Sequence, residues 1–276
     1  MSSPLLTKTL YLAGLHCPKK AWLCQYRADL VPEHTAVVLD RMQVGKEIGK
    51  LAHDLFPEGV MPPYCQEASE AAMQTQRLLQ GDRRPIFEGT FLADGMHVKV
   101  DVLSPDEEDG WELNEVKSGT AKDPGDIKSE NLHDLAFQRL VLRKAGTDVA
   151  RANLILVDSS LPSNGLPPLA GSFLKKVDVT RECELIADDV RKNAESFKSV
   201  LSGPEPPRVE PNTHCKGCDF DGHCNEHQHP RDVVFLPRIQ GKTVTKLRQD
   251  GFATIDSIPD GRLKGNHEIA RQVILT

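Results

Sequence analysis

Residues 98–120 read VKVDVLSPDEEDGWELNEVKSGT, and they decide the reading of the chain. Met96, Val98, Val100 and Val102 alternate with His97, Lys99, Asp101 and Leu103, which predicts a strand with one apolar face. Ser104 to Gly110 is a turn rich in Pro, Asp and Gly, and Trp111 to Lys117 reads as the return strand. Asp101 lies near the end of the first strand. Glu115 and Lys117, two apart on the second, point to the same face. Pairing of the strands brings two carboxylates and an ammonium together. Carboxylate oxygens suit hard Mg²⁺ or Mn²⁺ ions, which polarise a phosphoryl oxygen and activate water. A lysine there positions the water or offsets developing negative charge. The expected chemistry is phosphodiester hydrolysis. The competing reading is that charged residues on a strand form an ordinary solvated face.

Outward from the hairpin, the pattern is helical on the N-terminal side. Thr9–Leu15 is a short apolar piece, and Pro18 after Cys17 suits a first helical turn. Residues 36–56 carry Met42, Gly45, Ile48, Ala52 and Leu55 at helical spacing, and Gly45 and Gly49 are expected to let that helix approach the sheet closely. Glu67–Gln80 reads as a further helix. Beyond the hairpin come a loop over Gly119–Gly125, a helix over Ser129–Ala145 ended by Gly146, and a buried strand over Leu154–Val157. Leu161–Gly171 reads as a loop, and Thr180–Leu201 as one long amphipathic helix with Cys183, Ile186, Val190, Ala194, Phe197 and Leu201 on one face. Gly203–Thr213, with four prolines, is the clearest linker. The order implies a mixed α/β core with helices on both faces.

The chain has 276 residues, with 34 Lys and Arg against 40 Asp and Glu, a formal net charge of −6. That excludes coating nucleic acid through bulk charge, so any such contact must be local. No apolar run approaches the roughly 20 residues a bilayer needs, and no secretory signal is read at the N-terminus. A soluble protein of the reducing cytoplasm, without membrane partners, is expected. Its seven cysteines are then metal ligands or buried thiols before they are disulfides.

An Asp, then E-x-K on the next strand, then a helix bearing Gln resembles the PD-(D/E)xK nucleases. The match is closer to their RecB-like branch, since G-K-L-A-H places His53 on an upstream helix and H-D-L-A-F-Q places Gln138 downstream. The branch's Q-x-x-x-Y tyrosine is absent, and Leu142 stands there, but Gln138 shares a face with Leu135 and Leu142 that should turn inward. The resemblance implies a restriction-endonuclease-like core, a central mixed sheet flanked by helices. It implies that His53, Asp101 and Glu115 ligate Mn²⁺ or Mg²⁺ with the Val116 carbonyl. Lys117 becomes the catalytic lysine, Gln138 orients substrate or Lys117, and Glu88 is an auxiliary acid. The implied activity is a deoxyribonuclease, an exonuclease acting on single-stranded DNA or DNA ends. Protein partners in repair, recombination or CRISPR adaptation go with it.

Cys215-x2-Cys218-x5-Cys224 is the second signal, since three cysteines within ten residues beside prolines are poor core thiols. Thiolates select zinc or an iron–sulfur cluster. Cys17 is the best fourth ligand, with Cys24 a substitute. In the iron–sulfur branch, similar to the CRISPR-adaptation nucleases and the AddB nuclease domain, one N-terminal Cys joins three C-terminal ones, which implies a [4Fe–4S] cluster on Cys17, Cys215, Cys218 and Cys224. Zn²⁺ is the rival, because His214, His223, His227 and His229 crowd the same segment. Cys183, on an apolar helix face, reads as a packed thiol.

Residues 1–230 are thus read as the nuclease domain, including the cluster-binding N-terminal helix and the Cys segment 203–230. Residues 231–276 form a small helical tail. The tail faintly resembles a helix-hairpin-helix module, with Arg238, Lys242, Lys246 and Arg248 as local positive charge; a plain helical cap is the alternative. Two other readings of the whole stay open: a non-catalytic nucleic-acid-binding module that keeps the fold, and a zinc-binding interaction protein.

Overall fold

The computed structural model describes residues 4–120, 126–158, 173–225 and 229–276. Part of the Gly119–Gly125 loop, all of Leu161–Gly171 and His227 lie outside the described residues. The chain forms two compact units, residues 1–15 with 33–204, and 16–32 with 205–276. One boundary falls in the proline-rich stretch after Gly203.

The first unit is mixed α/β, a central mixed sheet flanked by helices. Its elements are β1 (Leu6–Thr7), α1 (Lys8–His16), α3 (Ala36–His53), α4 (Ala68–Leu79), β2 (Ile86–Ala93), β3 (Met96–Pro105), β4 (Trp111–Lys117), α5 (Ser129–Lys144), β5 (Val149–Val157), β6 (Leu174–Asp178), α6 (Thr180–Leu185) and α7 (Ala187–Ser202). Helix α2 (Pro18–Tyr26) belongs to the second unit. Along the sheet the order is β1-β3-β4-β5-β6, with β2 also on β3. β2 and β3 pair antiparallel from Ile86↔Leu103 to Ala93↔Met96 and occupy one whole edge of β3. The other edge is divided. β1 runs parallel to it at Met96 and His97, and β4 antiparallel from Val102↔Asn114 to Pro105↔Trp111. β4 then follows β5 in parallel as far as Lys117↔Leu156. The two strands of the hairpin therefore part after Val102 and Asn114, leaving an opening along residues 98–101 of β3.

Apolar burial holds helices to both faces. Ile48 and Ala52 of α3 pack with Ile155, Leu174 and Val116 on one face. α5 covers the other with Leu135, Phe137, Val141 and Leu142, all fully buried. Gly45 and Gly49 do not act as expected: a Cβ at either would meet nothing within 4 Å, so their smallness serves no close approach. The long helix expected over 180–201 is two, α6 and α7, with Ile186 between them outside helical geometry at φ −103° and ψ 1°. The expected inner face survives the break: Cys183, Val190, Ala194, Phe197 and Leu201 are buried.

α1 is fixed by aromatic packing. Tyr11 stacks on Phe137 at 4.4 Å and meets Phe197 edge-on at 5.7 Å, and its hydroxyl lies 3.1 Å from His133 Nδ1. Gly14 lets α7 come close, because an added Cβ would lie 2.7 Å from the Phe197 ring.

The second unit is small and helical. Besides α2 it holds α8 (Asp221–Asn225), α9 (Gly241–Gln249), α10 (Asn266–Leu275) and short 3₁₀ turns at Val233–Phe235 and Ile255–Ser257. Val233, Val234, Leu236, Ile239, Val244, Leu247, Ile255, Ile258 and Leu263 form its core. Gly251, at φ +87°, ends α9 in the left-handed turn that Gly adopts without strain, with Phe252 N donating to Leu247 O. Among the described residues no helix is long and apolar enough to cross a membrane.

The Gly14→Ala substitution is expected to destabilise the protein by about 1–3 kcal/mol, the usual cost of overpacking. Urea unfolding measures it, and an unchanged midpoint would refute the close approach of α1 to α7.

Candidate active site

The opening between β3 and β4 gathers the charged residues of the hairpin. The ladder register places Asp101 across from Glu115, one step past the last paired positions. Here the Asp101 side chain replaces a ladder partner, with Oδ2 accepting from Val116 N at 2.8 Å. Glu115 Oε1 accepts from Lys117 Nζ at 2.7 Å and from Lys8 Nζ at 2.8 Å, and Oε2 accepts from Gln138 Nε2 at 2.8 Å. One turn before Gln138 on α5, Asp134 accepts from Lys117 Nζ at 2.6 Å through Oδ2 and from Gln138 Nε2 at 2.8 Å through Oδ1. Glu115, Asp134 and Gln138 are buried, whereas the Lys8 and Lys117 side chains keep 27% and 26% of their surface exposed. The ammonium groups, with half-buried Asp101, are the side of the cluster that solvent can reach.

These contacts set the charges. Burial, followed by the charge of Glu115, pushes Asp101 up to about 7 against Lys8 and the Val116 N–H. Burial would raise Glu115 too, but Lys8 and Lys117 hold it down at about 2. Asp134 is raised by burial and by Glu115, against the two lysines. Lys117 lies above its ordinary value because Glu115 and Asp134 outweigh its burial. Three crowded carboxylates and two ammonium ions thus share the opening, with one carboxylate poised near neutrality.

Asp101, Glu115, Lys117 and Gln138 are therefore brought together. His53 is placed on α3, stacked on Phe87 at 4.0 Å, and partial burial holds its imidazole below the ordinary value despite Glu88 and Asp54. Phe87↔Val102 and Gly89↔Val100 bracket Glu88 across from Asp101. Glu88 sits at φ +55°, a backbone region that costs an L-residue about 1–2 kcal/mol, and its carboxylate lies 2.8 Å from Lys99 Nζ. Among the described residues no three His, Cys, Asp or Glu side chains already form a metal-holding group. Lys8 and Asp134 were not expected. The helical i, i+4 spacing of Asp134 and Gln138 signals the latter; nothing local signals Lys8, which reaches Glu115 from 107 residues away.

In the second unit, Cys17, Cys215, Cys218 and Cys224 line one cavity of about 810 Å³, with Lys19, Lys20, His16 and His214. All four cysteines are partly buried and none is in a disulfide. Asn212 N donates to Cys215 Sγ at 3.3 Å. Burial raises the Cys215 thiol; the Asn212 contact opposes this, while Cys17, Cys218 and Cys224 add to it. Cys224 is also raised by burial, with Lys19 pulling it down. Cys24 lies outside the cavity lining, although Cys218 and Lys20 act on its charge. Cys183 is 1% exposed, and burial pushes it up to about 12, as a packed thiol requires.

No protein-family model matches the sequence, and no curated protein matches it significantly. Among solved structures, SSO0001 is similar at 12% identity, over 83% of this chain and 89% of that one, with a TM-score of 0.37. An alkaline exonuclease, LHK-Exo from Laribacter hongkongensis, is similar at 15% identity, over 71% and 87%, with a TM-score of 0.40.

A carboxyl whose folded pKa is raised gives stability that is full below its unfolded value and is lost as pH rises through the folded one. In metal-free protein, wild type is thus expected to lose stability relative to Asp101→Asn between pH 4 and 7, by at most about 1.4 kcal/mol per pH unit. Urea melts of both proteins across that range in chelator test this; a constant difference contradicts the raised Asp101.

Proposed function

We propose that the protein is a metal-dependent deoxyribonuclease that hydrolyses phosphodiester bonds, acting as an exonuclease on single-stranded DNA or DNA ends. The observation that carries the reading is the convergence of Asp101, Glu115, Lys117 and Gln138, from two strands and a helix, in one opening of the sheet. A solvated strand face does not account for it, because Glu115 is 2% exposed and Gln138 fully buried.

The donor set fits a hard cation. Asp101 and Glu115 offer carboxylate oxygens and the Val116 carbonyl is adjacent; His53, stacked on Phe87 on α3, is the fourth group that the family resemblance assigns. The orphaned Oε1 of buried Gln138 marks a polar cluster that is not self-satisfied. A Mn²⁺ or Mg²⁺ ion held there would polarise the phosphoryl oxygen and lower the pKa of an attacking water. The protein's own groups do the rest. Gln138 fixes the Glu115 carboxylate through Oε2. Asp134 anchors the Lys117 ammonium from the helix side, so its charge stands ready to offset the charge developing on the phosphate. Asp101, raised by burial and by Glu115, would have to be deprotonated to ligate such an ion.

The four cavity cysteines fit a soft metal group. Their thiols are close enough to perturb one another, and a backbone N–H already points at Cys215 Sγ. We assign them a structural [4Fe–4S] cluster. His16 and His214, whose rings lie 5.0 Å apart on the same cavity, favour Zn²⁺ as the second reading. Residues 231–276 are read as a helix-hairpin-helix-like DNA contact or a plain helical cap, with Arg248 held by Asp232, and cytoplasmic partners belong to repair, recombination or CRISPR adaptation.

End-labelled single- and double-stranded DNA, incubated with Mn²⁺, Mg²⁺ or chelator, tests the activity. Cutting is expected only with metal, and at least about 10²-fold slower for Asp101→Ala and Lys117→Ala, as for loss of a charge-stabilising group. Cutting that survives in folded Lys117→Ala protein contradicts the assignment. Metal analysis of anaerobically purified protein separates the two cysteine readings: iron with sulfide, lost in Cys17→Ser, supports the cluster, and zinc replaces it.

A further inference from the structure

Two ammonium groups share one oxygen at the centre of the site, and they are held differently. Lys117 Nζ is 2.7 Å from Glu115 Oε1 and has a second anchor, Asp134 Oδ2, at 2.6 Å. Lys8 Nζ is 2.8 Å from the same Oε1, but Asp134 Oδ1 stands 3.7 Å away, beyond hydrogen-bond reach. Lys117 is clamped between two elements by hydrogen bonds, while Lys8 hydrogen-bonds Glu115 and has only a longer ion pair to Asp134. Its position is not incidental. Lys8 directly follows β1, the two-residue strand that enters the open edge of β3, and α1 behind it is pinned by Tyr11. The backbone delivers this side chain into the opening, and its 27% exposure leaves the ammonium a path to solvent.

A divalent ion ligated by Glu115 Oε1 lies about 2.0–2.1 Å from that oxygen. An ammonium 2.8 Å from the same oxygen then faces it at close range with like charge. Lys117 meets the same oxygen, but it keeps its Asp134 Oδ2 anchor when Oε1 is taken, whereas Lys8 has no second carboxylate within hydrogen-bond reach. We propose that Lys8 is the resident counter-ion of Glu115, which a divalent metal ion must displace, so that Lys8 sets how tightly the site takes its metal. The proposal rests on the metal-site reading of Asp101 and Glu115. Without metal, Lys8 neutralises the buried Glu115 carboxylate, which is otherwise costly, and it withdraws to the exposed side when the ion arrives. It is a positioning residue of the site, acting through Glu115.

Calorimetric titration of the full-length protein with Mn²⁺ tests this without reference to cleavage. Lys8→Gln and Lys8→Met remove the competing charge, and both are expected to bind Mn²⁺ about tenfold tighter than wild type. Lys192→Gln, on a side chain that is 70% exposed on α7, is the control for general electrostatics and should bind as wild type does. Tighter binding by the Lys8 variants alone supports the proposal. Wild type that binds Mn²⁺, with folded Lys8 variants that bind equally or more weakly, overturns it and leaves the metal site standing. Absence of Mn²⁺ binding in every protein overturns both. Loss of far-ultraviolet circular dichroism in both Lys8 variants makes the residue structural and also overturns it.

Discussion

The divergence of β3 from β4 after Val102 and Asn114 is the constraint on which the site depends. A continued ladder would satisfy the backbone of residues 98–101 and 115–117 with itself, and the facing side chains would crowd into a closed sheet. Instead, β4 stays with β5 while β3 stays with β2, and the wedge between them is filled by side-chain chemistry. Asp101 bonds the backbone N–H of Val116 that the ladder gives up. Buried carboxylates are costly alone, so the wedge also draws in cations, from the strand itself at Lys117 and from a distant segment at Lys8. The strand β1 caps the lower end of the same edge, which confines the opening to about four residues of β3.

What the sequence made legible follows from range. Asp101, Glu115 and Lys117 lie within one hairpin, where alternation and a Pro/Asp/Gly turn fix both face and partner. Gln138 lies on the next helix, between Leu135 and Leu142, so its inward face could be read from spacing. Helices α3, α4 and α5 were legible within a few residues of their ends. β1, β2 and β6 were not read as strands: β1 is two residues long, β2 is interrupted by Gly89 and by the left-handed Glu88, and β6 carries Lys175 and Lys176. The break at Ile186 was invisible because the apolar face continues in phase across it. Asp134 was within reach of the helical rule. Lys8 was not, since a lysine before an apolar helix is ordinary until the fold shows what it meets.

The second unit obeys a different logic. Its apolar core is gathered from short helices and 3₁₀ turns, with no sheet to carry it among the described residues. Four cysteines drawn from both sequence segments of the unit line one cavity, and a metal group bound there would link residues 16–32 to 205–276 covalently.

The parallel pairing of β1 with β3 has a consequence for the order of assembly. The hairpin of β3 and β4 closes over a short turn and can form early, with its acidic residues still hydrated. β1 is synthesised first, yet its partner appears about 90 residues later. Such a long-range closure belongs late in folding, because its entropy is lost before any contact rewards it. The acidic hairpin can therefore form while its carboxylates are still open to solution, ahead of the segment that brings Lys8.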